Sequence, residues 1–323
     1  MERKRSGWRT AGLIAGVGCL SMIALVIGGV GIAWMMARST LNNLGDPDPK
    51  PVDRRIVLAA APQAAAERDT STADSTAPLR LTLDLREGTF TIRPGEPGSD
   101  IHVSGEYAPG LFELVDTQDV DAASGVRRAT VRFHSKAPAW ARFFGGMGND
   151  GGQPELTITI PRGIPIDLTL ETAMGRSEVD LGGLTLREVT LNATMGEHSI
   201  NFEEPVVEAM RDLRIHTSMG NVVLENLGNA RAANVTSSSS MGNVTANLGG
   251  AWQPGAEANL TFEQSMGELT VRVPSSVRLD SEVRNQQDQT TKRDADAAPA
   301  DPKAPNVRLR VTSSMGNARV VRY

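Results

Sequence analysis

Four histidines, one cysteine and one adjacent pair of carboxylates are the side chains of this sequence whose types could do chemistry. His102, His134, His198 and His216 could act as general bases or metal ligands, but no two stand at the short spacing that brings imidazoles onto one ion. Glu203 and Glu204 could share acid–base work. Successive strand side chains point to opposite faces, however, so adjacency alone makes no catalytic pair. Cys19 lies in an apolar run with Gly16 three residues before it, where a lipid-modified cysteine needs a bulky aliphatic; as the single cysteine it can form no intramolecular disulfide. GNDGG (148–152) supplies too few oxygens for calcium. With no nucleophile elbow or phosphate loop either, the sequence predicts a chain that is not an enzyme and uses no cofactor or metal.

What the sequence does position with regularity is a Met-Gly pair, at Met174-Gly175, Met195-Gly196, Met219-Gly220, Met241-Gly242, Met266-Gly267 and Met315-Gly316. Its spacing suits a structural repeat. Seven residues before each Gly stand Leu168, Val189, Leu213, Val235, Leu260 and Leu309, all apolar, and the next position is polar throughout. Five before it the residue is apolar again, except at Ser237. Four after it come Val179, Ile200, Leu224, Ala246, Val271 and Val320. Alternation of period two predicts β-strands with one buried face, each turned by the Gly. By the same parity the Met side chains are expected to point inward. Each unit then reads strand, Gly corner, strand, second corner, the latter marked by Gly182-Gly183 and Gly249-Gly250. One unit cannot cover its own apolar face, whereas stacked units bury a continuous core. The fold class is therefore all-β, a β-solenoid over 161–323. Val283-Arg284-Asn285 falls where a Met-Gly-Asn would, giving a degenerate rung that opens into a disordered loop at 286–306, with 307–323 as the last rung.

Ahead of the repeat, residues 1–10 form a basic tail expected in the cytoplasm, and 11–36 run without a charge. That length predicts a single transmembrane helix in the inner membrane, with the body outside; the rival reading is a cleaved signal peptide, whose apolar region runs only about 7–15 residues. Gly12 and Gly16 form a GxxxG that could bring two such helices together. Residues 37–78, rich in Pro, Ala, Asp, Ser and Thr, read as a flexible linker, and 79–160 as a β region capping the stack. Aromatics make up only 4% of the chain, yet Trp140, Phe143 and Phe144 gather in one Gly-rich stretch. They are read as a hairpin folded onto the body or as a partner contact. Asn221, Asn243 and Asn317 follow the Gly in three rungs and could present a row to a glycan. A net charge of −5, with the N-terminus basic, leaves a mildly acidic body that offers nothing to nucleic acid.

LTLDLREGTFTIRPGEPG, ITIPRGIPIDLTLETAMG and the Gly-ended rungs resemble the bacterial β-strand-repeat proteins called "putative adhesins" and the toast-rack domain of envelope-stress regulators. The resemblance covers roughly 79–323. It implies a β-solenoid outside the membrane and brings no catalytic or binding residues. The function expected is a membrane-anchored interaction, scaffold or stress-regulatory module. The alternative is an adhesin or binder of a cell-envelope polymer or glycan. Expected partners are the bilayer, an envelope protein or cell-wall polymer, and a second copy of the chain.

Overall fold

The computed structural model describes residues 30–36, 38–40, 48–58, 78–98, 100–121, 124–138, 153–286, 289–295 and 303–323. Among them are fourteen strands: β1 (Lys50–Val57), β2 (Leu79–Pro97), β3 (Asp100–Tyr107), β4 (Phe112–Val120), β5 (Arg127–Ser135), β6 (Glu155–Arg162) and β7 (Pro165–Asp180), followed by β8 (Thr185–Asn201), β9 (Met210–Glu225), β10 (Ala232–Asn247), β11 (Glu257–Val273), β12 (Arg278–Asn285), β13 (Thr290–Ala295) and β14 (Asn306–Arg322). They make one sheet in the order β1-β3-β6-β2-β7-β8-β9-β10-β11-β14-β12-β13, with β5 beside β2 and β4 beside β5.

The chain forms two compact units. In the smaller, residues 30–36 and 38–40 are helical, and the Arg38 guanidinium lies 5.2 Å from the Trp34 ring centre. Its turn is closed by the Leu111 and Phe112 N–H groups, both donating to the Ala108 carbonyl at 3.0 and 2.9 Å. Most of the apolar run 11–36 lies outside the described residues, and among those described no helix is long and apolar enough to cross a membrane.

In the larger unit, alternation writes the core directly. The residues seven before each corner Gly, from Leu168 to Leu309, are all buried, as are Val179, Ile200, Leu224, Ala246 and Val271 four after it. Ser237, the polar exception five before its Gly, is also buried and stands between Ile215 and Phe262 in the ladder, a small side chain beside a large one. Each rung is a single strand continuous through its corner, so successive rungs pair in parallel along their whole length, Met on Met and Gly on Gly. The corner glycines hold φ between 124° and 137°, backbone that L side chains resist.

The methionines correct the expectation of inward side chains. Met174, Met195, Met219, Met241 and Met315 are 41–55% exposed, and Met266 is half-buried. Parity fails because the last inward position before the corner and the first after it, Thr172 and Ser177 in β7, are an odd number of residues apart. The alternation slips at the bend, and Met falls on its outer side.

Three further readings change. Gly88 pairs with Gly175 and has φ 141°, so β2 is itself the first rung, with Glu87 in the place of Met, rather than part of a cap. Lys50–Val57, within the stretch read as linker, is a strand antiparallel to β3. Thr290–Ala295, within the stretch read as a disordered loop, is a strand antiparallel to β12. The largest change is in order: β14 lies against β11, and β12 lies beyond it. Val283, Arg284 and Asn285 pair with Val311, Thr312 and Ser313, short of the Met-Gly level, so the rung from Arg278 is only half a rung. Full-length β14 matches all of β11 across both limbs, which the eight residues of β12 cannot, and the longer strand takes the inner place.

Candidate functional site

Two rows of side chains face outward on the limb that precedes each corner. The row four residues before the Gly is Asn192, His216, Ser238, Glu263 and Thr312. The row two before it is Thr194, Ser218, Ser240, Ser265 and Ser314. Together they line a trough of about 590 Å³ across β8, β9, β10, β11 and β14. Four steps of about 4.8 Å make it about 19 Å long. Gln286, in the turn after β12, also lines it, with the Ser314 hydroxyl donating to its Oε1 at 3.2 Å. Between the rows Thr217, Ser239 and Gln264, all buried, also line the trough.

The trough is polar and nearly uncharged, with His216 and Glu263 as its ionisable groups. They stand on β9 and β11, two rungs apart, and the Nδ1 of His216 is 2.7 Å from the Ser238 hydroxyl. Sequence reasoning saw small residues before each Met but not the row four before the Gly. The available signal was that the position two before the Gly carries a hydroxyl in all five of these rungs, and the position four before it a hydroxyl or amide in three of them.

His198 lies elsewhere, 2% exposed, with Nδ1 2.8 Å from the Ser177 hydroxyl and Nε2 without a partner. Burial holds its pKa below the usual 6.5. The neutral ring is the one the fold accommodates, so the unfolded chain binds the extra proton as pH falls below about 6.5 and stability drops there, by about 1.4 kcal/mol per unit of pKa depression. The melting temperature is expected to fall between pH 7 and pH 5, and His198→Val, matching Val222 in the next rung, should flatten that slope.

His102 is bonded to Asp53 at 2.6 Å, and His134 lies 3.7 Å from Glu113. Glu204 is held by Arg162 at 3.0 Å, beside the Gly182-Gly183 corner. Among the described residues no three His, Cys, Asp or Glu side chains cluster as a metal site would require. Two members of the Asn row are turned to structure: Asn221 Oδ1 accepts the Asn243 N–H at 3.2 Å, and Asn243 Oδ1 accepts the Glu268 N–H at 3.0 Å, while Asn317 is exposed. Trp140, Phe143 and Phe144 lie outside the described residues.

An all-β protein of in-register parallel rungs with a polar trough along one limb is the class this geometry defines. The family described as "N-terminal domain of toast_rack, DUF2154" matches residues 61–225, just over half of the chain, and the chain belongs to that family. Among curated proteins nothing matches. Among the solved structures similar to it are the following three. A "putative cell adhesion protein" from Clostridium sporogenes is 10% identical with a TM-score of 0.39, and 85% of this chain covers 100% of that one. A "putative adhesin" from Bacteroides fragilis is 11% identical (TM-score 0.31), with 85% of this chain covering 97% of it. A "putative lipid binding protein" from Parabacteroides distasonis is 9% identical (TM-score 0.24), with coverage of 85% and 98%.

Proposed function

We propose that this chain is a non-catalytic binding protein of the cell envelope, and that its trough takes a neutral, hydroxyl-rich polymer such as a glycan. The observation that carries the reading is the recurrence of hydroxyl and amide side chains on five consecutive rungs, at the spacing of the rungs. A repeating row of donors and acceptors suits a repeating ligand. Phosphate or carboxylate would call for Arg or Lys, which the trough lacks, and an acyl chain would call for an apolar lining. A catalytic step finds little support there, since the two ionisable groups are two rungs apart.

The uncharged run 11–36 would tether the protein as a single-pass helix, with residues 1–10 in the cytoplasm and the β body on the outer face of the inner membrane. A scaffold or stress-regulatory role would use the same tether and a protein partner. Its candidate contacts, Trp140, Phe143 and Phe144, are not among the described residues.

The test is binding of neutral cell-wall polysaccharide by the full chain in detergent, compared with a Ser218→Tyr, Ser240→Tyr double variant. Both serines are exposed, so melting should stay nearly unchanged while affinity falls by about tenfold or more. Absence of binding by the parent chain, or equal binding by the variant, would sink the reading.

A further inference from the structure

The exposed methionines form an unbroken row on six adjacent rungs: Met174 pairs with Met195, that with Met219, then Met241, Met266 and Met315. The corner does not demand Met, because Glu87 holds the same place beside Met174 in the first rung. Nor does the core demand it, since five of the six side chains stand 41–55% exposed. A feature that neither turn nor packing requires, yet recurs six times in register, invites a chemical reason.

The geometry points to this row as a binding site for a soft monovalent cation, Cu(I) or Ag(I). Neutral thioethers are soft donors that select such ions over hard ones such as Mg or Ca. Neighbouring rungs hold equivalent side chains about 4.8 Å apart. A metal–sulfur bond near the about 2.3 Å of a zinc thiolate lets one ion span two sulfurs about 4.6 Å apart, so adjacent methionines can share it without moving the backbone. Three rotatable bonds per side chain allow a third sulfur to close in. Small residues precede the central methionines, Ser218 before Met219 and Ser240 before Met241, and leave them room. Neutral Asn221 and Asn243 follow the same pair, each with its Oδ1 held by the next rung, so no carboxylate competes at the centre of the row.

The test uses the full chain in detergent, with Cys19→Ser in every sample because a thiol would capture the same ions. Under anaerobic conditions the protein competes with a coloured Cu(I) chelator. The parent is expected to withdraw Cu(I), and the Met219→Leu, Met241→Leu variant to do so with affinity lower by about tenfold or more. A second measurement needs no ladder variant: Ag(I) should slow peroxide oxidation of Met219 and Met241, read by mass spectrometry, by about fivefold or more, because a metal-bound thioether is shielded. A chelator that keeps its Cu(I), a double variant that binds equally well, or oxidation unaffected by Ag(I) would each overturn the inference.

Discussion

Gly220→Ala is expected to lower the melting temperature by roughly 5–15 °C, the equivalent of about 2–4 kcal/mol for a body of this size. Two causes add. The residue holds φ 137°, where an L side chain is strained, and a Cβ there would overlap the carbonyl oxygen of Gly196 in the preceding rung. That obstacle is backbone, so it cannot swing aside as a side chain could. The same overlap recurs up the row, each corner Gly meeting the oxygen of the one before it. Relief at one rung would therefore disturb the next. Met219→Ala, one residue away but exposed, should shift melting by no more than about 0.5 kcal/mol in equivalent terms. Thermal melts followed by far-ultraviolet circular dichroism separate the two; equal shifts would mean the corner is not what constrains the stack.

Removing residues 306–323 is expected to abolish cooperative melting and drive the protein into large aggregates on size exclusion. Although β14 comes after β12 and β13 in the chain, it is interior to the sheet. Its loss deletes Val307, Leu309 and Val311, all buried, which at about 1.5–3 kcal/mol each is about 5–9 kcal/mol, comparable to the whole stability of a domain. It also uncovers Leu260 and Phe262 of β11 and strips β12 of its parallel partner. A shortened chain that stays monomeric and melts within a few degrees of the parent would show that β14 is a dispensable outer rung.

Much of the fold was legible because a stacked sheet repeats one pattern. The apolar positions seven before and four after each Gly named the core, and the glycines named the bends. The first rung escaped notice because Glu87 replaces Met, although Leu81, Leu83 and Ile92 keep the apolar frame around Gly88. The methionine direction was lost to the slip at the corner, since a period-two count carried through a bend has no means of registering one residue gained. The order of β12 and β14 was illegible for another reason. Both carry the same alternation, and periodicity says which face a strand buries but not which neighbour it chooses. The trough lay hidden because outward Ser and Thr are unexceptional on any single strand, and only the register collects them.

The placement of β14 also sets an order of events. The hairpin of β12 and β13 is made first, but its parallel neighbour does not exist until the chain has run on past Asn306. Until then the hairpin has β11 within reach, and a premature pairing there would occupy the slot that β14 must fill. Folding of this end is therefore a contest between a near partner and a later one, won by the strand that covers both limbs of β11. Such late, non-local closure is slow, and a slow closing step near the end of folding is where a chaperone, or a second chain offering its own β14, would find its opening.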